Sequence, residues 1–336
     1  MRHRVVIGLS GGVDSGVSAF LLKEEGFDVI GVTFILNKGQ DIERVRKIAK
    51  VLDADLKEVN LINDFEQKII NYFLEEYSKG RTPNPCALCN RLIKFPELLK
   101  QAISLNADFI STGHYALIRR EPFGLLKGKD PKKDQSYFLS LVDREILRKT
   151  IFPLGERSRE EVINLAKKIG IDKFVSFKGS QDVCFIEGSF RNFIKKTLRD
   201  KLKRGLIKDL SGKTLGEHEG IALYTVGQRR RLNVATGIRQ YVVALDAENN
   251  EVIMGRFEDL LRKDFIVNNV NWFIDESEIQ GEVKVRYHTP PSEARAIPIG
   301  SGRVKVILKE PLAAITPGQL ATFYIKDQVV WGGIIE

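Results

Sequence analysis

The sequence predicts an α/β fold: an amino-terminal parallel sheet with helices on both faces, followed by two smaller β-rich regions. Three observations carry this. Apolar runs alternate with amphipathic stretches to about residue 112, the pattern turns helical from about residue 158, and beyond Gly205 short strands separated by Pro and Gly take over. With 336 residues, 43% of them hydrophobic, the chain is long enough for two or three cored domains.

Candidate strands are Val5 to Leu9, Asp28 to Ile35, Leu56 to Val59 and Asp108 to Thr112, with candidate helices near 16–25, 41–52, 64–78 and 90–104. Such alternation requires crossover connections, hence a parallel sheet covered on both faces. "REEVINLAKKIG" and "SFRNFIKKTLRDKL" read as helices. "YVVALDAENNEVIMGR" reads as a hairpin about Glu248-Asn249-Asn250. "GEVKVRYH", "RVKVILKE" and "QLATFYI" read as strands of a small barrel or sandwich.

Between the first strand and its helix stands "SGGVDSG", residues 10–16. Gly11 and Gly12 allow positive φ and close approach of a ligand to the main chain. Unpaired amides at the start of the helix favour an anion, and Ser10 and Ser15 add hydroxyls. The loop is neither a Walker A sequence nor a dinucleotide fingerprint. A complete "SGGVDS" directly after the first strand points to phosphate binding, and it resembles the loop of the N-type ATP pyrophosphatases.

No run of about 18 uncharged apolar residues exists, so no membrane span is expected, and the start lacks the features of a signal peptide. Three cysteines argue against a disulfide framework and for a cytoplasmic protein. The net charge is +9, with nine Lys or Arg between Arg191 and Lys213 against Asp200 and Asp209, and three more arginines in "QRRRL". Either run alone reads as a solvated helix face; the two together in a basic chain favour a polyanionic partner, nucleic acid.

"RTPNPCALCNRLIKF", residues 81–95, places two prolines before a C-x-x-C pair. Pro83 and Pro85 hold the preceding residues extended, so helix is expected only from about Asn90. Cys86 and Cys89 would then lie at a helix N-terminus, where a thiolate is stabilised. The pair alone is compatible with a redox couple, half a metal site or two buried small residues. Cys184, in the polar stretch "GSQDVCFI", argues against inert packing of all three.

"IGLSGGVDSGVSAFLL", "GRTPNPCALCNRLIKF", "STGHYA", "KDQSYFL", "GSQDVCFI", "YTVGQRRRL", "RYHTPP" and "TPGQLATFYI" occur in the order seen in tRNA-specific 2-thiouridylases, and the chain resembles that family from end to end. The resemblance implies a PP-loop ATP-binding catalytic domain (adenine nucleotide α hydrolase-like) with a helical extension over residues 1–202. It further implies a central β-rich domain over 203–259 and a C-terminal β-barrel that binds tRNA over 260–336. It implies a reaction in which ATP adenylates the C2 oxygen of the wobble uridine and sulfur then attacks C2.

By resemblance, Gly8, Leu9, Ser10, Gly11, Gly12, Val13, Asp14 and Ser15 would hold the phosphates, with Asp14 helping to place Mg²⁺. Phe34 would offer main-chain contacts to adenine, with core packing an equal alternative, and Gly113 would line the same pocket. Asn84, Pro85 and Cys86 would receive the target base, which must leave its stack to be attacked. Cys89 stands in the place of the nucleophile and Cys184 in that of the persulfide carrier. His114, Lys133, Asp134, Gln135, Arg286, Tyr287 and Gln319 correspond to tRNA contacts, with a satisfied structural residue an equal alternative for His114, and Gln228 and Arg229 to Arg231 are assigned to backbone phosphates. The sulfur donor would be a cysteine desulfurase, a relay protein or inorganic sulfide.

Two departures from the family stand out. The connection after Phe34, "ILNKGQD", is short, and Cys86 replaces a common aspartate. Three thiols raise the expectation of a [4Fe–4S] cluster on Cys86, Cys89 and Cys184, placed ahead of a persulfide on Cys184 resolved by Cys89. Zinc would want a fourth ligand. The competing readings are another adenylating pyrophosphatase of the amide-ligase type and a non-catalytic RNA-binding protein.

Overall fold

The computed structural model describes residues 2–174, 183–232, 234 and 239–336. The sheet is built from β1 (Arg4–Gly8), β2 (Asp28–Ile35), β3 (Asp55–Asn60), β4 (Phe109–Ser111) and β7 (Thr150–Ile151), in the order β3-β2-β1-β4-β7, with every pairing parallel. Val5, Val6 and Ile7 have no exposure because β1 is central and covered on both faces. Helices α1 (Val13–Glu24), α2 (Ile42–Val51) and α9 (Arg159–Lys168) share one apolar cluster with Val5 and Ile7. α6 (Phe95–Ser104) and α8 (Arg144–Arg148) share the other with Val6.

The helices expected at 64–78 and 90–104 are each interrupted by a π-helical turn. The first runs as α3 (Ile62–Phe65), a π turn over Glu66–Ile70 and α4 (Asn71–Ser78). The second runs as α5 (Pro85–Cys89), a π turn over Asn90–Lys94 and α6. Helix therefore starts at Pro85 rather than near Asn90. Proline at the first helical position lacks only an N–H that would have had no intrahelical partner. Asn84 caps the turn, its Oδ1 accepting from Ala87 N at 3.1 Å. The two π turns meet in one small core of Phe65, Ile69, Cys89 and Ile93. Such turns frequently mark functional sites.

The sequence did not reveal the antiparallel hairpin β5 (Ala116–Arg119) and β6 (Gly124–Lys127). It leaves the parallel sheet and joins the C-terminal one through Leu126 opposite Gln328. The helical stretch between the sheet and the β-rich parts includes α7 (Ser136–Leu139) and, further on, α10 (Phe190–Thr197). Then β8 (Gly205–Asp209), β9 (Thr214–His218), β10 (Tyr241–Asp246) and β11 (Glu251–Gly255) form a small sheet in the order β10-β11-β8-β9.

The last six strands are β12 (Leu261–Trp272), β13 (Ile279–Lys284), β14 (Ser292–Gly300), β15 (Arg303–Ala313), β16 (Leu320–Ile325) and β17 (Gln328–Ile335). Because β12 pairs with both β15 and β17, they close an antiparallel barrel rather than a sandwich. Val267, Val283, Val306, Phe323 and Trp331 fill it.

The barrel clasps the cysteine segment. Thr82 N donates to Pro317 O at 2.8 Å, Asn84 Nδ2 to Gln319 Oε1 at 3.1 Å, and Tyr137 OH to Leu320 O at 2.7 Å. Ala87, Tyr137, Leu141 and Leu320 pack beneath these bonds. Asn84→Ala should cost about 1–2 kcal/mol, since it removes both a helix cap and a bond to the barrel. Urea denaturation followed by the fluorescence of Trp272 and Trp331 checks this. A double-mutant cycle with Gln319→Ala should return a coupling of about 0.5–1.5 kcal/mol, and purely additive losses would mean that the bond contributes nothing.

Candidate active site

The phosphate loop begins where β1 ends. Leu9 N still donates to Val32 O at 2.8 Å, and then the chain turns. Gly11 adopts φ +77°, a left-handed conformation that L side chains resist, whereas Gly12 is extended and stands at the N-cap of α1. Ser15 is turned inward: its Oγ donates to Gly12 O at 3.1 Å and accepts from Ser10 N at 3.2 Å. Its hydroxyl therefore shapes the loop and leaves the ligand side to the amides of the first turn, Val13 to Ser15. Gly113, after β4, crosses this helix end so closely that a Cβ there would lie 2.7 Å from Asp14 C and Ser15 N.

Two arginines flank the loop that the motif did not reveal. Arg159 of α9 makes an ion pair with Asp14, whose carboxylate also accepts from Tyr115 OH at 2.9 Å. Arg44 of α2 lies over Gly11, its Nε 3.1 Å from where a Cβ would stand. Arg159 is 145 residues from Asp14, so no local pattern could have shown it. Phe34 is 9% exposed, with its ring in the apolar cluster of Val6 and Val32.

The three cysteines are near neighbours, close enough for charge on one to act on another. Cys89 is buried, while Cys86 and Cys184 reach solvent. Phe185 anchors the Cys184 strand of chain by packing against Phe65 and Phe73. Residues 179–182 of the motif "GSQDVCFI" lie outside the described residues. Burial pushes the Cys89 thiol up to about 11 and raises Cys86 as well, although Cys86 opens to solvent on one side. The expected lowering at a helix N-terminus is therefore overturned. α5 is only five residues long, Cys89 is its last residue, and desolvation outweighs the opposing charge of Lys94. Burial works against the Lys94 ammonium too, yet the influence of the neighbouring cysteines, Cys89 first, raises it overall.

His114 directly follows Gly113, the glycine that meets the helix end, and lies near Lys94. It sits among the rings of Phe95 and Phe152, and bonds through Nδ1 to Thr112 Oγ1 at 2.8 Å. Burial, with Lys94 nearby, lowers its imidazole to about 3, so it is neutral at physiological pH.

Among the described residues no three His, Cys, Asp or Glu side chains gather to hold a metal ion. Cys86, Cys89 and Cys184 are close enough to feel one another's charge but do not form the ligand set that the [4Fe–4S] expectation requires.

The residues matched to tRNA contacts divide into two groups. Asp134 is buried, with its carboxylate taken by Gly128 N, Ser136 N and Ser136 Oγ, each at 3.0 Å. Gln135 Oε1 accepts from Tyr115 N at 3.0 Å, and Arg286 donates to Val226 O and Thr316 Oγ1. Gln319 is engaged with Asn84. These four side chains hold the frame. Lys133 and Tyr287 keep surface within reach of a ligand, and Arg229, Arg230 and Arg231 are exposed. In the basic run, Arg191 and Lys195 pair with Glu219, and Lys208 pairs with Glu251. Lys201, Lys203 and Arg204 are exposed and make no salt bridge among the described residues. No described helix is long and apolar enough to cross a membrane.

In a Cys86→Ser, Cys184→Ser chain, Cys89 should titrate far above an ordinary thiol. A raised thiol pKa favours the neutral form, so thiolate absorbance should climb through the alkaline range without a step near pH 9. Lys94→Met should move the midpoint higher still, because the ammonium lowers it. A midpoint at the ordinary value would show that water reaches Sγ freely.

Three family profiles match consecutive parts of the chain: "tRNA methyl transferase HUP domain" over residues 3–188, "tRNA methyl transferase PRC-barrel domain" over 191–256, and "Aminomethyltransferase beta-barrel domain" over 262–335. A tRNA-specific 2-thiouridylase MnmA 1 from Caldanaerobacter subterraneus is 44% identical over 360 residues, covering 100% of this chain and 98% of the relative. A MnmA 2 from Clostridium botulinum is 41% identical, with 99% and 98% covered, and a MnmA from Clostridium perfringens is 39% identical, with 100% and 99% covered. Matching these proteins from one end to the other, the chain belongs to the tRNA-specific 2-thiouridylase family.

Proposed function

We propose that this chain converts the wobble uridine of tRNA to 2-thiouridine, with ATP activating the C2 oxygen and Cys184 and Cys89 handling the sulfur. One chain of observations carries the reading. Gly113 packs against the anion-binding helix end, His114 beside it feels the charge of Lys94, and Lys94 is the cation that the three cysteines share.

The amides of α1's first turn, with Arg44 and Arg159 beside them, suit the triphosphate of ATP. Mg²⁺ bound with the nucleotide would neutralise phosphate charge, and Asp14 is the loop's own carboxylate for it, released from Arg159 as that guanidinium turns to phosphate. The uridine O2 attacks the α-phosphorus and pyrophosphate leaves, so C2 carries an adenylate. The terminal sulfur of a Cys184 persulfide attacks C2, AMP departs with the C2–O bond's electron pair, and the base is left linked to Cys184 through a disulfide. The Cys89 thiolate then attacks Cys184 Sγ, releasing the thiolated base and leaving a Cys89–Cys184 disulfide. A dithiol reductant supplies the two electrons that reset it.

With its pKa pushed up to about 11, Cys89 is a protonated thiol at rest. Lys94 is the cation placed to favour its ionisation, and the neutral His114 imidazole neighbours Lys94. This reading routes no step through a metal cluster, since no three-ligand group supports one among the described residues.

Mass spectrometry of nucleosides from tRNA incubated with the enzyme, ATP and a cysteine desulfurase tests the activity. Cys89→Ser and Cys184→Ser should each abolish 2-thiouridine while pyrophosphate release persists, and Cys86→Ser should keep most of the activity. Loss of thiolation in Cys86→Ser, restored to the wild-type protein only by iron and sulfide, would replace the persulfide route with a cluster.

Binding to tRNA should weaken steeply with salt as counterions are released. Replacing Lys201, Lys203 and Arg204 together with Ala should flatten the slope of log affinity against log salt by about two to three. An unchanged slope would remove this patch from the tRNA interface.

A further inference from the structure

Where β1 stops, β2 continues. Leu9 N to Val32 O is the last bond between them, and on the other side Leu61 N donates to Ile35 O. Backbone groups along a strand face its two neighbours alternately. Val32, Phe34 and Leu36 therefore turn toward β1, while Thr33 and Ile35 turn toward β3. Phe34 O and Leu36 N are the next ladder positions on the β1 side, but the chain has already left to form the phosphate loop.

The side chain of Gln40 takes both groups. Its Nε2 donates to Phe34 O at 2.8 Å, and its Oε1 accepts from Leu36 N at 3.0 Å. A primary amide sets one donor beside one acceptor. The Watson–Crick edge of adenine does the same, with its N6 amino group beside the N1 acceptor. Guanine reverses the pair, setting the O6 acceptor beside an N1–H donor, which would meet Phe34 O and Leu36 N with like against like. The open edge of β2 thus has the polarity that reads adenine, and it lies at the carboxyl ends of the strands next to the anion-binding turn, where open α/β sheets bind ligands.

We propose that the Gln40 amide occupies the base-reading edge of the nucleotide site as a stand-in for adenine, and that ATP must displace it to dock on Phe34 O and Leu36 N. The inference rests on the ATP-binding reading given above. It makes Gln40 a residue that sets nucleotide affinity and selectivity without contributing to the chemistry. The connection is built to let go: Gln40 is half-exposed, Lys38 and Gly39 ahead of it are exposed, and α2 begins two residues later at Ile42 with its own Asp41 cap. The exchange replaces two bonds with two others, so the closed form taxes ATP affinity modestly and leaves docking feasible.

Calorimetric titration of the full chain with ATP, GTP and inorganic tripolyphosphate tests this, comparing wild type with Gln40→Met and Gln40→Ala. Neither replacement can donate to Phe34 O or accept from Leu36 N. Both should bind ATP about tenfold more tightly, as expected if roughly 1.4 kcal/mol of competing bonds is removed, with tripolyphosphate and GTP unchanged. ATP affinity unchanged or weaker in both variants, with tripolyphosphate binding intact, would show that Gln40 merely braces the turn, and would overturn the proposal while leaving the ATP site standing. Failure of ATP to compete with tripolyphosphate in the wild-type chain would overturn both readings.

Discussion

The catalytic geometry depends on the clasp between the barrel's 316–320 loop and the segment that carries Cys86 and Cys89. A helix of five residues has no stability of its own in water. α5 exists because Asn84 caps it, because Ala87 is sealed against Tyr137 and Leu320, and because Thr82 and Asn84 are bonded to Pro317 and Gln319. The C-terminal barrel is therefore a structural part of the thiol site, more than 200 residues away along the chain. The hairpin β5–β6 works in the same direction, lending two strands from the ATP-binding half to the barrel's sheet.

That burial exacts an electrostatic cost. Enclosing Cys89 and His114 disfavours their charged forms, so one stays a thiol and the other a neutral imidazole. Lys94 is the counterweight, a cation on the π turn directly after Cys89. Its charge favours a thiolate on Cys86 and Cys89 and disfavours a proton on His114. Ionisation of Cys86 and Cys89 is thereby tied to one ammonium group.

Much of this architecture was legible in the sequence. The first two strands, the phosphate loop and the order of the regions follow from apolar runs, glycines and a shift in periodicity. The parts that stayed hidden share a physical cause. Pro85 looked like a barrier to helix, yet at the first helical position it is harmless. The desolvation of Cys89 comes from Phe65, Ile69 and Ile93 in two separate helical stretches, which no local rule assembles. Arg159 reaches Asp14, and Arg286 reaches Val226 and Thr316, across distances that periodicity does not encode. Asp134 and Gln135, matched to RNA contacts by resemblance, accept from the backbone amides of Gly128, Ser136 and Tyr115, partners that the sequence did not show. A short polar motif looks the same whether it faces a ligand or the interior.

The nucleotide site shows the sharpest form of this limit. Its phosphate-binding half and its base-reading half both arise from one event, the departure of β1 from the sheet a few residues before β2 ends. On the departing strand the consequence is a special conformation at Gly11, so it leaves a mark in residue type. On the strand left behind, the consequence is a pair of ordinary backbone groups at Phe34 and Leu36, which any residue other than proline would supply. Side-chain identity enters only at Gln40, where an amide of the right polarity completes the interrupted ladder. A site made largely of main chain is thus visible in sequence only where the backbone needs an unusual residue, or where a side chain imitates the ligand.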